Sequence, residues 1–121
     1  MSRLILVVED NEDNRCIVRD LLTSVGYRIA EARTGEDGLA FAHVERPDLI
    51  LMDIDLPGID GYEAARRVRS DPALRTIPII AVTSYALSGD DGKAYAAGCD
   101  AYMAKPFSPR ALLAQVQVFV S

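Results

Sequence analysis

The residues of this chain best suited to chemistry are acids that directly follow apolar runs. Glu9 and Asp10 follow the run LILVV, and Asp53 follows LILM, with Asp55 two positions later. If the two runs form neighbouring strands, Glu9, Asp10 and Asp53 converge, and three close carboxylates repel one another unless a cation neutralises them. Oxygen ligands with open positions suit Mg²⁺, which keeps several waters and accepts phosphate as a further ligand.

A hydroxyl and a lysine complete this set. Thr83 and Ser84 follow the run IPIIAV, and Lys105 follows DAYMA. A lysine ammonium is a point charge suited to a phosphoryl oxygen, and a threonine hydroxyl is a further donor. Such a site suits phosphoryl transfer, in which a carboxylate can itself be the nucleophile and form an aspartyl phosphate. Each motif alone is more often structural, and only their joint occurrence after four runs favours a site.

Apolar runs alternate with segments of helical period along the whole chain. We predict strands over 3–8, 27–32, 48–52, 77–83 and 100–104, and helices over 12–26, 35–45, 60–70, 89–97 and from 108 onward. The second strand is rather polar, as an edge strand would be. Asp60 is predicted to cap its helix, with Glu63 as its capping-box partner. This alternation predicts an α/β fold, a doubly wound parallel sheet whose strands all end at one edge.

Length, charge and cysteine content restrict the class of protein. The 121 residues fit one domain, 1–121, and the net charge of −5 argues against a nucleic-acid-binding surface. The basic segment RRVR at 66–69 is expected to be a solvated helix face, and His43 a surface residue. No apolar run approaches the ~20 residues of a membrane span, and no signal peptide is evident. Cys16 and Cys99 lack metal-ligand spacing, which favours idle, reduced thiols and a cytoplasmic location.

Four segments taken together closely resemble the receiver domain of bacterial two-component response regulators. They are VVEDN (7–11), LILMDIDLPGIDG (49–61), AVTSYA (81–86) and AGCDAYMAKPF (97–107). The resemblance extends over essentially the whole chain. It implies a flavodoxin-like (βα)₅ fold with strand order 2-1-3-4-5, and a phosphoryl-accepting regulator rather than an enzyme that turns over a substrate.

The resemblance also implies a role for each site residue. Asp53 would accept the phosphoryl group from a histidine of a kinase or phosphotransfer protein. Asp10 would bind Mg²⁺ directly, Glu9 would assist through a water, and Asp53 and the backbone carbonyl of Asp55 would complete the metal site. The residues expected to bind the phosphoryl group are Thr83, Ser84 and Lys105.

Two surfaces follow from the same resemblance. Thr83 and Tyr102 would act as a switch that alters the face made by the fourth helix, fifth strand and fifth helix, where a downstream protein would bind. The histidine-bearing partner would dock on a second surface, made by Asn14, Arg15, Val18, Pro106 and Phe107. The Lys105–Pro106 bond is expected to be cis. The chain would be a monomer or a phosphorylation-dependent homodimer, with neither nucleic acid nor membrane as a partner.

Three alternatives remain beside this hypothesis. LILMDIDLP also resembles the first motif of haloacid-dehalogenase-type phosphatases, but position 57 is Pro, the motif lies on the third strand, and Glu9 and Asp10 would have no role. A receiver-like binding module without phosphorylation is the second. The third alternative is a fragment of a hybrid kinase or longer regulator. A stand-alone regulator is expected instead, because Met1 opens the chain and the last helix closes it.

Overall fold

The computed structural model describes residues 3–83, 90–105 and 107–120. Five strands alternate with five helices within this part of the chain. The elements are β1 (Leu4–Val8), α1 (Glu12–Ser24), β2 (Arg28–Ala32), α2 (Gly35–Glu45), β3 (Leu49–Asp53), α3 (Gly61–Ser70), β4 (Ile79–Thr83), α4 (Asp90–Ala96), β5 (Ala101–Ala104) and α5 (Pro109–Phe119). Each lies within about two residues of its predicted bounds, although the predicted start of α4 at residue 89 is outside the described residues.

All strand pairs are parallel, and the sheet order is β2-β1-β3-β4-β5. The predicted fold class and strand order are therefore confirmed. β2 is the expected polar edge, where Ala32 alone of its five residues is buried. β3 and β4 are buried along their entire length because helices cover both faces of the sheet. Strand order reverses between β1 and β3, which places a crevice beyond the carboxyl ends of these two strands.

The core has two halves, one on each face of the sheet, because successive strand side chains point to opposite faces. One half packs the sheet against α2, α3 and α4, and includes Leu6, Val8, Ile50, Met52, Ile79, Ala81, Ala42, Ala64, Val68 and Ala94. The other half packs it against α1 and α5, and includes Ile5, Val7, Leu49, Leu51, Ile80, Val82, Leu22, Leu112 and Val116. With both faces filled, the carboxyl edge of the sheet is left for the polar residues.

Helix ends follow the local sequence. Asp60 caps α3 as predicted and Ser108 caps α5, each accepting the backbone N–H of the residue three positions on. The Glu63 carboxylate, however, accepts from Arg66 (3.2 Å) and Arg67 (3.0 Å). The reciprocal half of the predicted capping box is thus replaced by ion pairs on the surface of α3. Gly26, at φ +98°, follows α1 in the left-handed conformation that commonly ends a helix.

One surface prediction needs correction. Arg66 and Arg67 are half exposed as expected, but the Arg69 guanidinium donates to the carbonyls of Gly98 and Ile77, both at 2.7 Å. Arg69 also pairs with an aspartate, Asp100, so it ties α3 to the loops before β4 and β5. The prediction of a solvated face therefore holds only for Arg66 and Arg67.

His43, Cys16 and Cys99 conform more closely to expectation. His43 is 61% exposed, although its Nδ1 lies 3.0 Å from Asp71. Cys99 is buried, Cys16 is partly buried, and both are free thiols. Within the described ranges, no helix combines the length and apolar character that a membrane span requires.

Candidate functional site

The three predicted metal-binding acids meet at the carboxyl edge of the sheet. β1 and β3 are paired neighbours, so Glu9, which follows β1, lies beside Asp53, which ends β3. Glu9, Asp10 and Asp53 each offer a carboxylate oxygen, and these oxygens lie within 4.8 Å of one another. Glu9 and Asp53 are buried, whereas Asp10 is exposed. An all-oxygen set with one open side fits a hard dication such as Mg²⁺.

Lys105 brings a cation to the same group of acids. Its ammonium bonds to Glu9 Oε1 and lies 3.3 Å from Asp53 Oδ2. Its backbone N–H donates to the carbonyl of Thr83 at 2.7 Å, which anchors the loop after β5 to the end of β4. Thr83 is itself 2% exposed. The expected convergence of residues from the ends of β1, β3, β4 and β5 is therefore present.

Asp53 is held in place from two sides. Its Oδ1 accepts the backbone N–H of Asp55 at 2.9 Å. Behind it, Gly61 opens α3 so close to the strand that a Cβ there would overlap the Asp53 carbonyl and Ile54. Glycine at this position lets the helix start immediately against the end of β3. The Asp55 side chain is exposed, so the two aspartates of the motif occupy different environments.

The electrostatics of the site leave one acid prone to protonation. Burial, followed by the hydrogen bond and negative charge of Asp53, raises the pKa of Glu9 from 4.5 to about 7, against the opposing effect of Lys105. Burial acts to lower the pKa of Lys105, but the hydrogen bond to Glu9 and the charges of Asp53 and Glu9 outweigh it, and the net pKa is raised. The lysine thus stays a cation, and the acids still repel one another.

The expected switch residues lie on neighbouring strands. Thr83 ends β4 and pairs with Ala104 of β5, two residues beyond Tyr102. Tyr102 is half-buried and packs against the core half that contains α4. Ser84 and Pro106, with the predicted cis bond, lie outside the described residues.

Four residues of the predicted partner surface are described, and one of them departs from expectation. Asn14, Val18 and Phe107 line a cavity of about 550 Å³ that continues from Glu9, Asp53 and Lys105 into the space between α1 and α5. Sequence reasoning did not identify this cavity, nor Ile17, which also lines it and is 65% exposed. Ile17 could have been found as an apolar residue one position before Val18 on a helix near the site.

Arg15 needs the larger correction, because it is 5% exposed and turned away from any partner. Its guanidinium donates to the carbonyl of Glu9 at 2.9 Å and to the Glu31 carboxylate at 3.0 Å. A buried guanidinium requires such acceptors, and both of these lie on the sheet side of α1. The sequence carried one signal of this: Arg15 lies in helical phase with Val18 and Leu22, on the inward stripe of α1.

Comparisons with known proteins agree with this geometry. The chain is 44% identical over 108 residues to the polar-differentiation response regulator DivK of Brucella anthropi, which covers 89% of the chain and 88% of that protein. DivK of Brucella ovis is equally similar. A putative response regulator from Chloroflexus aurantiacus J-10-fl has a TM-score of 0.94 and 32% identity, with 98% of each chain covered.

A further solved structure bears on the metal. The receiver domain of the sensor histidine kinase PA1611 from Pseudomonas aeruginosa PAO1 has a TM-score of 0.91 and 39% identity, with 98% of each chain covered, and it holds a magnesium ion in its active-site cleft. The family model described as "Response regulator receiver domain" matches residues 5–117. Acids, a threonine and a lysine at the ends of four strands in a 2-1-3-4-5 sheet, together with this match over nearly the whole length, favour the receiver over the phosphatase alternative. The chain belongs to the response regulator receiver domain family, the signal-receiving module of two-component systems.

Proposed function

We propose that this protein receives a phosphoryl group on Asp53 from a phosphohistidine of a kinase or phosphotransfer protein. The observation that carries the proposal is the placement of the buried Asp53 carboxylate, with two further acids beside it and the Lys105 ammonium 3.3 Å away. An Asp53 oxygen forms the bond to phosphorus while the P–N bond to the donor histidine breaks. The leaving histidine nitrogen keeps the bonding electron pair and is protonated at neutral pH.

The remaining site residues hold the charges of this transfer. Glu9, Asp10 and Asp53, with the backbone carbonyl of Asp55, would hold Mg²⁺, which when bound offsets the charge of the phosphoryl oxygens. Lys105 exchanges its carboxylate partners for a phosphoryl oxygen, since it already lies between Glu9 and Asp53. The phosphoryl group is further bound by Thr83 and Ser84. The protein supports its own phosphorylation and dephosphorylation without turning over a separate substrate.

Phosphorylation is proposed to change the face formed by α4, β5 and α5. Thr83 moves toward the phosphoryl group and Tyr102 turns inward behind it, so that a downstream protein or a second copy of the chain binds the altered face. The half-buried position of Tyr102, one strand away from Thr83, supports this coupling. The donor protein docks on the other side, at the cavity lined by Asn14, Val18 and Phe107, with Pro106 adjacent in sequence.

We further propose that residues 1–121 act as one cytoplasmic, stand-alone receiver. The DivK relatives support this context, because the match covers 88% of their own length. The similarity to the receiver of the kinase PA1611 favours the alternative, a receiver within a hybrid kinase. The mass of the native protein, detected by an antibody in cells of its source, would distinguish the two contexts.

Phosphorylation with a small phosphodonor tests the central proposal. In the presence of Mg²⁺, acetyl phosphate should place one labile phosphate on each wild-type chain and none on Asp53→Asn. Asp55→Asn is the matched control, because it removes a neighbouring exposed carboxylate and should keep the label. Label that persists on Asp53→Asn would place the nucleophile elsewhere, and many turnovers of a phosphomonoester would indicate a phosphatase instead.

A further inference from the structure

The Arg15 side chain joins three elements immediately beneath the acidic site. From α1 it donates through Nε to Glu31 Oε1 of β2 at 3.0 Å and through one terminal nitrogen to the Glu9 carbonyl at 2.9 Å. It is 5% exposed, so both bonds are formed largely out of water. A guanidinium serves two such acceptors together because its donors form a fixed planar fork.

The hydrogen bond from Arg15 to the Glu9 carbonyl is not needed to link α1 to β2. A link between α1 and β2 requires only the ion pair with Glu31, yet the second donor goes to the main chain of the first acid in the metal-binding group. The Glu9 N–H also has a fixed partner, because it donates to the Ala32 carbonyl at 3.0 Å. The Glu9 backbone is therefore held at both its N–H and its carbonyl.

Holding the Glu9 carbonyl also places Asp10. The peptide unit that contains this carbonyl ends at the nitrogen and Cα of Asp10, and it is planar and rigid. Fixing its oxygen therefore fixes the position of the Cα from which the Asp10 side chain departs. Asp10 is exposed, so few other contacts are available to restrain it.

We propose that Arg15 is a positioning residue for the divalent-cation site, acting through the Glu9 carbonyl to hold Glu9 and Asp10 in the geometry that binds Mg²⁺. This inference rests on the proposed function above, since it assumes that the acids bind Mg²⁺. Residues that orient metal ligands without touching the metal typically account for about 10- to 100-fold in metal affinity. Arg15→Gln should weaken Mg²⁺ binding by about that factor.

Two variants separate positioning from the general loss of a charge or an ion pair. Arg19→Gln makes the same substitution one turn further along α1, where the side chain contacts Asp20 and Glu31. Glu31→Gln breaks the ion pair of Arg15 and leaves its bond to Glu9 intact. Both controls should bind Mg²⁺ within about threefold of wild type, even if Glu31→Gln lowers the melting temperature.

Calorimetric titration with Mg²⁺, below the melting temperature of every variant, measures the affinity directly. A second measurement is the rate of Asp53 labelling by acetyl phosphate against Mg²⁺ concentration. For Arg15→Gln the half-saturating concentration should rise about 10- to 100-fold, whereas the rate at saturating Mg²⁺ should approach that of wild type. A purely structural role would lower stability and leave the half-saturating concentration unchanged.

The outcomes are distinguishable. Wild-type affinity in Arg15→Gln, or an equal loss in either control, would overturn the inference. If Arg15→Gln does not fold, Arg15→Lys decides: it keeps the charge but donates through a single ammonium, so weakened Mg²⁺ binding supports the inference and wild-type binding overturns it. Failure of the wild type itself to bind Mg²⁺ would overturn the proposed function, and this inference with it.

Discussion

The Mg²⁺ affinity of this protein should fall steeply as the pH is lowered from 8 to 6, because Glu9 must be ionised to help hold the cation. Its pKa is raised from 4.5 to about 7 by burial and by the neighbouring Asp53. At pH 8 about nine-tenths of the Glu9 carboxyls are ionised, and at pH 6 about one-tenth. The apparent dissociation constant for Mg²⁺ should therefore rise about tenfold over this range, which corresponds to roughly 1.4 kcal/mol.

The stability of the metal-free protein should increase, not decrease, as the pH is lowered from 8 to 6. Glu9 binds its proton more tightly in the folded state, so its stabilising contribution is fully present below pH 4.5 and is lost as the pH rises through about 7. The rise in pKa corresponds to roughly 3 kcal/mol of unfolding free energy, an upper bound for this group. Mg²⁺ should then stabilise the protein most at pH 8, where the site is charged and its acids repel one another.

Calorimetric titrations at pH 6, 7 and 8, in constant ionic strength, test this expectation. Glu9→Gln should bind Mg²⁺ more weakly at pH 8 and show almost no dependence on pH. His43→Gln is the control, because His43 is the one histidine of the chain, and it should retain the wild-type dependence. A flat profile in the wild type, or an unaltered slope in Glu9→Gln, would refute the assignment of this titration to Glu9.

Two further predictions concern packing and thiol chemistry. Gly61→Ala should destabilise the fold by about 1–3 kcal/mol in urea unfolding and slow the labelling of Asp53, because its Cβ would overlap the Asp53 backbone. Gly92→Ala, at a helical position where a Cβ meets nothing within 4 Å, should instead be neutral or stabilising by up to about 1 kcal/mol; equal losses in both variants would contradict this account. Burial raises the pKa of Cys99 to about 11, so iodoacetamide at pH 8 should modify Cys16 alone in the native protein and both thiols in denaturant. Rapid native modification of Cys99, measured by peptide mass, would be the opposing result.

Much of the fold was predictable because its signals are local. Buried runs such as those of β3 and β4, helix caps such as Asp60, and the polar edge strand all depend on residues close together in sequence. The convergence of Glu9, Asp53 and Lys105 followed from one general property of parallel sheets, that all strands end at the same edge. The order of the strands came only from the resemblance to receivers, since periodicity alone does not determine which strands are neighbours.

The incorrect predictions share a different physical cause. Arg15 and Arg69 were assigned to exposed surfaces, yet both donate to backbone carbonyls of residues distant in sequence or outside their own helix. A backbone carbonyl is present at every position, so residue types do not reveal which carbonyl will accept a hydrogen bond. The contact between His43 and Asp71 was missed for a related reason, because it joins the end of α2 to the end of α3 and depends on how the two helices pack.

The buried Arg15 and the half-buried Arg69 should nevertheless differ in what their loss affects. Each lies in phase with the apolar stripe of its helix, Arg15 with Val18 and Leu22 and Arg69 with Ala65, which is the signal that distinguishes them from solvated arginines. Arg69 holds the segments that enter β4 and β5, at the edge of the sheet opposite the acids, so its removal should lower stability without altering Mg²⁺ affinity. Arg15 holds the segment that leaves β1 at the acidic edge, so its removal should alter both. An inward arginine that donates near the start of the strands thus contributes to folding alone, whereas one that donates near their carboxyl ends also contributes to the site.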